Sequence, residues 1–220
     1  MQANYRTDYQ GEFVITESRW ANGKKTEKRE WIANPIENQH ISGRAACIGN
    51  SVDQYKFDYT CLQRHRGGLL GSKKLQTYGV GEITQQMNLD FAVETNPQKL
   101  VTIMESKYQE TNVVYTTPRN CIAHPGEFYL IPQTPNLIDI ALLLYLSAFD
   151  GHKEIFLLGY HKETPVESQS WINQVRTVID AYPGVLFYMV GEQTIMPDAW
   201  MEASNGRNLT YREFVSYCDV

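Results

Sequence analysis

The chain has 220 residues, of which 42% are hydrophobic and 20% charged, and its formal net charge is −5. That length and composition are typical of a globular domain with a sizeable core. The acidic balance argues against a general nucleic-acid-binding protein, which needs surplus Lys and Arg to neutralise phosphates, although it leaves room for a local basic patch. The longest apolar run, residues 140–149, is too short to span a bilayer.

The four cysteines show no metal-binding pattern. Cys47, Cys61, Cys121 and Cys218 form no CxxC pair, and no histidine stands at zinc-finger spacing from them. Cys47 lies within an apolar run, where a buried reduced thiol is the usual state. Residues 1–13 lack the apolar core of a signal peptide. We therefore expect no metal site and a reducing, cytoplasmic compartment.

Asn22-Gly23 predicts the tip of a β-hairpin. Both residues accept positive φ and strand-like runs flank them, so we place the hairpin at about residues 12–32. It is either a stabilising flap or oligomer contact, or an element that binds a ligand directly. We assign residues 1–43 to an N-terminal extension and residues 44–220 to a second, larger domain.

Beyond residue 44, short apolar runs alternate with helix-like segments. This order predicts an α/β, Rossmann-like domain with a mainly parallel sheet flanked by helices. In such folds ligands bind beyond the carboxyl ends of the strands. The apolar runs are residues 45–48, 75–78, 91–94, 113–115, 128–131, 154–158 and 185–190.

Polar residues mark the expected starts of three helices. Asn96 is a candidate cap for a helix beginning at Pro97. Thr134 or Asn136 would start the apolar helix that ends near residue 149, and a helix start is also a natural anion site. Thr210, with Glu213 three residues later, predicts a capping box for the C-terminal helix.

Candidate nucleotide-binding residues follow several predicted strands. Gly49, Asn50 and Ser51 follow the first apolar run, where glycine permits close approach and the amide and hydroxyl can bind a base, ribose or phosphate. The same residues are compatible with an ordinary turn, since neither GxGxxG nor a Walker loop is present. Further candidates, each with an alternative as a turn, solvated residue or helix cap, are Gly79, Gly81, Glu94, Thr134 and Asn136.

Residues 63–74 form the densest basic and glycine-rich stretch of this acidic chain. The cations Arg64, Arg66, Lys73 and Lys74 surround three glycines, which predicts a phosphate clamp. The alternative is a solvated surface loop.

Two residues are candidates for acid–base catalysis. His161 follows the apolar run 154–158 and is the histidine best placed to act as a general base near neutral pH. Glu82 is the second candidate. The alternatives are a surface histidine and a solvated glutamate at a helix start.

The order of these motifs resembles the superfamily that joins bacterial family 42 sialyltransferases with archaeal 6-hydroxymethylpterin pyrophosphokinase-like proteins. The matching stretches are "CIGNSVDQ", "TYGVGEI", "LDFAVETN" and "LIDIALLLYLSAFDGHKEIFLLGYH", which together cover about residues 44–162. The chain also looks like uncharacterised bacteriophage proteins that share "TYG", "GHKEIFLLG" and "YREFV".

The resemblance implies a Rossmann-like fold and a nucleotide ligand of CMP type. Asn50 falls on the asparagine of the family's first loop, and Gly49 and Ser51 match its neighbours. Thr134 and Asn136 fall near the polar turn that contacts the donor in that family.

The chain also departs from the family pattern at three places. The second-loop asparagine is replaced by Gly81 or Val80, and the aspartate of the "GxD" strand end is His161. No histidine follows His161, so the family's later catalytic histidine has no counterpart. These departures put catalysis in doubt more than they do the fold or nucleotide binding.

The sequence accordingly predicts a nucleotide-binding, transferase-like protein. The reaction would be that of a nucleotide-sugar glycosyltransferase of sialyltransferase type, or of a phosphoryl or nucleotidyl transferase. The alternative is a catalytically inactive Rossmann-like binding or structural protein, encoded by a phage and acting through a protein partner. We expect a nucleotide or nucleotide-sugar ligand and no membrane association, and the sequence leaves open a homo-oligomer and any cofactor.

Overall fold

The computed structural model places two sheets, one of three strands and one of eight, within the described part of the chain. The described residues are 2–5, 12–33, 43–49, 57–65, 74–81, 83–131, 136–160, 168–192 and 196–218.

The three-stranded sheet is antiparallel and contains the predicted hairpin. Its strands are β1 (Gln2–Tyr5), β2 (Glu12–Ala21) and β3 (Lys24–Ala33). Asn22 and Gly23 join β2 to β3 with φ of 51° and 72°, the positive values that a two-residue hairpin turn requires. The hairpin prediction is therefore confirmed.

The eight-stranded sheet is parallel throughout, with strand order β11-β10-β9-β4-β5-β6-β7-β8. Its inner strands are mainly apolar because helices cover both faces. This confirms the predicted α/β class. The strands are β4 (Arg44–Ile48), β5 (Gln76–Val80), β6 (Phe91–Val93), β7 (Val113–Thr116), β8 (Tyr129–Leu130), β9 (Glu154–Leu158), β10 (Leu186–Val190) and β11 (Gly206–Leu209).

Helices connect most of these strands. A 3-10 helix, Tyr59–His65, lies between β4 and β5. The α-helices are α1 (Ile83–Gln86), α2 (Pro97–Glu105), α3 (Pro118–Ala123), α4 (Asp139–Phe149), α5 (Ser168–Ala181), α6 (Asp198–Met201) and α7 (Tyr211–Cys218). No helix among the described residues is long and apolar enough to cross a membrane.

Two hydrophobic clusters, one on each face of the sheet, form the core. Side chains alternate along β4, so that Ala45 and Cys47 join the cluster under α4 and α5, whereas Ala46 and Ile48 join the cluster under α2 and α7. All four cysteines are present as thiols. Trp200 of α6, fully buried, contributes one of the largest buried side chains to the first cluster.

Two of the three predicted helix starts are confirmed. The Asn96 side chain accepts the Gln98 N–H at 2.9 Å and caps α2. Before α7, the Glu213 carboxylate accepts the Thr210 N–H at 2.7 Å, and the Thr210 hydroxyl accepts the Glu213 N–H at 3.2 Å. This reciprocal pair is a capping box.

The predicted start of α4 at Thr134 or Asn136 was wrong. Its cap residue is Ile138, which has no side-chain oxygen to offer the helix. Instead, the Ile138 N–H donates to Oε1 of Gln174 in α5 at 2.7 Å. A side chain from a neighbouring helix thus satisfies this backbone group, so the local sequence carries no capping signal.

Candidate functional site

The strand order of the large sheet reverses between β4 and β9. From β4 the chain adds β5 to β8 on one side, and then returns to add β9, β10 and β11 on the other. At such a switch point the connections leave two adjacent strands towards opposite faces, which opens a crevice outside their carboxyl ends. The fold itself therefore indicates a ligand site beyond Ile48 and Leu158.

A glycine immediately follows each of four adjacent strands at this edge. In sheet order these are Gly191 after β10, Gly159 after β9, Gly49 after β4 and Gly81 after β5. Neighbouring strands lie about 4.8 Å apart, so the four positions span about 14 Å. We call them the glycine row. Gly81 is half-buried and Gly49, Gly159 and Gly191 are buried, and none of the four has a side chain that would separate a ligand from the backbone.

Gly49 and Gly159 lie against each other across the switch point. The Gly49 N–H donates to the Leu158 carbonyl at 2.8 Å, so pairing continues one residue beyond the strands. A Cβ added to Gly49 would lie 2.8 Å from the Gly159 oxygen, and one added to Gly159 would lie 3.0 Å from the Gly49 oxygen. Gly159 also has φ of +69°, which favours glycine. Both positions thus require glycine for backbone packing.

Two buried tyrosines flank this pair on opposite faces of the sheet. Tyr160 Cδ2 lies 3.4 Å from the Cβ position of Gly49, and Tyr59 Oη lies 3.4 Å from that of Gly159. Tyr160 belongs to the cluster under α4 and α5, and Tyr59 to the opposite cluster. The Tyr160 hydroxyl donates to the Ile140 carbonyl at 3.2 Å, and burial raises its pKa. One tyrosine therefore packs against this glycine pair from each face of the sheet.

Beside Gly81, the sheet edge continues into a cleft of about 690 Å³ between α1 and α2. That volume lies in the range of small-molecule sites. Its lining is mainly hydroxyl, amide and charged side chains, which suit a polar ligand. Among the lining residues are Thr84, Glu94, Lys99, Ser106 and Asn112.

Glu94 lines the cleft and also supports the start of α2. It follows β6 directly and is only 2% exposed. Its Oε1 accepts the Asn96 N–H at 2.8 Å, while Asn96 caps the helix. The carboxylate is therefore held in place at the carboxyl edge of the sheet, one strand beyond Gly81.

The structure shows a buried polar network that the sequence did not reveal. The Tyr78 hydroxyl donates to Oδ2 of Asp150 at 2.8 Å and lies 2.9 Å from Nε2 of His152. Burial raises the pKa of Asp150, and likewise that of Tyr78. Asp150 ends α4 and His152 precedes β9, so the network connects them to β5 near the amino edge, away from the glycine row. Asp150 and His152 are 72 and 74 positions away from Tyr78 in the chain, and no local sequence pattern signals such a contact.

Gly79 and Gly81, two predicted site residues in and directly after β5, have different surroundings. Gly81 lies on the glycine row with φ of 64°. Gly79 does not lie in a turn, as the sequence suggested, but inside β5. A Cβ there would lie 2.8 Å from Cγ2 of Ile83 and would also overlap Leu89. The absence of a side chain at Gly79 therefore makes room for core packing.

Lys74 and Asn136 lie at opposite edges of the sheet. Lys74 precedes β5 by two residues, at the amino edge, and so does not join the glycine row. Asn136 is exposed just before α4. Because the Ile140 carbonyl accepts the Tyr160 hydroxyl, the start of α4 and Asn136 lie on the same side as Gly159.

The other predicted site residues lie outside the described residues, and their roles stay predictions. They are Asn50, Ser51, Arg66, Lys73, Glu82, Thr134 and His161. For Arg64 the structure describes only the backbone, within the helix Tyr59–His65. Within the described ranges, no group of three or more His, Cys, Asp or Glu side chains could hold a metal ion.

Comparison with known proteins gives one distant structural likeness. No protein-family model and no curated protein matches the chain. The fold is similar to that of the sialyltransferase CstII from Campylobacter jejuni, whose structure is a complex with a substrate analogue, cytidine-5'-monophosphate. The match covers 66% of this chain and 78% of that chain, at 11% sequence identity and a TM-score of 0.41.

Proposed function

We propose that the chain binds a nucleotide across the glycine row and uses it in a transferase-like reaction. The observation that carries the proposal is the row itself, in which four adjacent strands at a topological switch point each end in glycine. Four positions without side chains, spread over about 14 Å of the sheet edge, match the length of an extended ligand such as a nucleotide or nucleotide sugar.

The glycines supply space, and the residues after them supply the polar contacts. The N–H of Gly49 donates to Leu158, and that of Gly191 donates to the Leu209 carbonyl, each at 2.8 Å, so both amides are already used within the sheet. The contacts to the ligand therefore come from side chains that follow the row. Asn50 and Ser51 come first in this proposal, because an amide and a hydroxyl can bind base, ribose or phosphate oxygens.

Arg64 and Arg66 are the proposed phosphate contacts. The helix Tyr59–His65 begins beside Gly159, where Tyr59 lies. With a rise of about 2 Å per residue, Arg64 is about 10 Å further along that helix. The same segment begins at the switch point, and in this proposal its arginines offset the charge of a nucleotide leaving group.

His161 is the proposed general base, with Glu82 as the second candidate. His161 follows Gly159 by two residues, and Glu82 directly follows Gly81, so both are tied to the row. In a glycosyl transfer, the base takes the proton of the acceptor hydroxyl as its oxygen bonds to the sugar carbon, and the nucleotide leaves with the electrons of the broken bond.

Thermal unfolding against a nucleotide panel tests the binding proposal. The panel contains CMP, CMP-sialic acid, UDP-sugars, ATP and NAD. A ligand present at about a hundred times its dissociation constant stabilises the native state by about 2.7 kcal/mol. We expect such a shift with one of these nucleotides and its loss in Asn50→Ala. Asn173→Ala, on the exposed surface of α5, is the matched control and should keep the shift.

A turnover assay with the stabilising nucleotide separates the enzyme from the inactive binding protein. Release of free nucleotide that is lost in His161→Gln, while the thermal shift is kept, supports the transferase. A thermal shift without turnover assigns the chain to the binding protein. No shift with any nucleotide contradicts both.

A further inference from the structure

The tip of the β2–β3 hairpin has a different charge from the rest of the chain. Residues 19–26, "RWANGKKT", are all exposed and contain Arg19, Lys24 and Lys25 but no carboxylate. We call these eight positions the basic tip. The whole chain carries a net charge of −5, so the basic tip is a local concentration of positive charge.

The basic tip holds an aromatic ring and a cation on the same face. Trp20 is 73% exposed, the largest exposed fraction among the large hydrophobic side chains described. The strand register pairs Trp20 directly with Lys25. Directly opposed Cβ atoms in an antiparallel pair lie about 5 Å apart, so ring and ammonium are neighbours. Arg19 and Lys24 lie on the other face of the ribbon.

We propose that the basic tip binds single-stranded nucleic acid. An exposed indole offers a stacking surface for any base, and the cation beside it can pair with the adjacent phosphate. Lys25 lies beside the ring on the same face, and Arg19 and Lys24 lie on the opposite face of the same narrow tip, so a flexible single strand that stacks a base on Trp20 can pass round the tip and contact all three cations. Single strands are favoured over duplex because a duplex keeps its bases stacked on one another and offers the ring no face.

The composition of the basic tip disfavours two other partners. Membrane insertion scales with buried apolar area, and here the apolar side chains are those of Trp20 and Ala21 alone. In a protein interface, contacts that exclude water surround the central tryptophan. The other residues of the basic tip are polar, small or charged, so they do not form such surroundings. A binding site for a charged, stacked polymer needs neither feature.

Carboxylates of the hairpin do not cancel the charge of the basic tip, because the two nearest, Glu17 and Glu27, are outnumbered by Arg19, Lys24, Lys25 and Lys28. Strands of ten residues extend about 33 Å, which is several times the screening length of about 8 Å at physiological salt. Charges at the far end of the hairpin are therefore screened from a polyanion at the basic tip. The proposal is independent of the nucleotide site at the glycine row.

Fluorescence anisotropy of a labelled fifteen-nucleotide thymidine strand tests the proposal on the full chain. With three cations engaged, we expect log K to fall with log salt at a slope of about −2. Lys24→Gln/Lys25→Gln should reduce the slope to about −0.7, since one cation remains. Trp20→Ala should weaken binding by about tenfold, the loss of one stacked base.

Three controls separate binding at the basic tip from general charge effects, from misfolding and from binding at the glycine row. Lys153→Gln/Arg212→Gln removes two exposed cations elsewhere and should leave the anisotropy titration unchanged. All tip residues are exposed, so circular dichroism of the tip variants should match that of the parent. The tip variants should also keep any thermal shift with a mononucleotide, which separates this site from the glycine row.

Three outcomes would overturn the proposal. One is no anisotropy change at low salt. Another is oligothymidine binding that Trp20→Ala and the double lysine variant leave intact. The third is a tip-dependent association seen only with anionic vesicles or with a second copy of the chain in sedimentation, because either would assign the tip to a different partner.

Discussion

Gly159 shows how one residue serves both packing and access at the switch point. Its positive φ and its contact with Gly49 leave no room for a side chain. Gly159 is buried in this structure, and in the proposed nucleotide complex the same lack of a side chain would leave room for the ligand beside the end of β9. Structural need and ligand access thus agree at this position.

Gly159→Ala should lower the free energy of unfolding by about 1–3 kcal/mol, the cost of a strained non-glycine backbone. The matched control is Gly184→Ala, in a turn where an added Cβ meets nothing within 4 Å. That variant should stay within about 0.5 kcal/mol of the parent. Urea unfolding measures both. Equal effects at the two glycines would show that Gly159 is not constrained as described.

A second prediction at the residue scale concerns Asp150. Burial raises its pKa, so the folded state holds a proton that the unfolded state releases once the pH exceeds about 4. The protonated carboxyl therefore stabilises the folded state fully below the unfolded pKa, and this stabilisation is lost as pH rises through the folded pKa. Asp150→Asn keeps a neutral group there, so its stability relative to the parent should increase with pH.

Urea midpoints of the parent and Asp150→Asn, recorded from about pH 4 to about pH 8, test this. We expect the urea midpoint of Asp150→Asn to increase relative to that of the parent as the pH rises. Parallel curves would mean that Asp150 keeps an ordinary pKa in the folded protein.

At the scale of elements, one carboxylate connects α7 to the amino edge of the sheet in addition to the apolar packing of the helix. Glu154, the first residue of β9, accepts the Tyr217 hydroxyl at 2.5 Å and Nε of Arg44 at 2.6 Å. The Arg44 guanidinium also lies 4.8 Å from the centre of the Tyr217 ring. Burial opposes ionisation of Glu154, but these hydrogen bonds outweigh it and lower its pKa.

Glu154→Gln should therefore destabilise the protein by about 1–2 kcal/mol near neutral pH. A lowered carboxyl pKa stabilises the folded state above the unfolded pKa, and that stabilisation is lost as pH falls through the folded pKa. The difference between parent and variant should thus shrink in acid. Glu202→Gln, at an exposed position, is the control and should show neither effect. A constant difference at all pH values would exclude a role for the charge.

The sequence predicted the elements whose turns or caps are formed by residues next to them in the chain. The hairpin followed from Asn22-Gly23, and α2 and α7 from their capping residues. The start of α4 could not be predicted because its cap residue, Ile138, has no capping side chain, and the Ile138 N–H is bonded instead by Gln174, more than thirty positions away in the chain. Gly79 was placed in a turn because a glycine in an apolar run indicates either a turn or close packing, and only the fold decides between them.

At the scale of the whole molecule, the sequence located individual strand ends but not their order. Gly49 and Gly81 were identified as candidates, whereas Gly191 was not. The glycine row becomes visible only when the sheet order places β10, β9, β4 and β5 side by side. The same applies to the Tyr78–Asp150–His152 network, which depends on contacts distant in sequence.

The central claim is that a nucleotide lies across the glycine row. Hydrogen–deuterium exchange with and without the nucleotide that gives the largest thermal shift tests it most directly. We predict protection of the peptides that contain residues 49–51, 81–82, 159–161 and 191–192, and no change over 118–131. Protection confined to other segments, or none at a saturating nucleotide concentration, would contradict the claim.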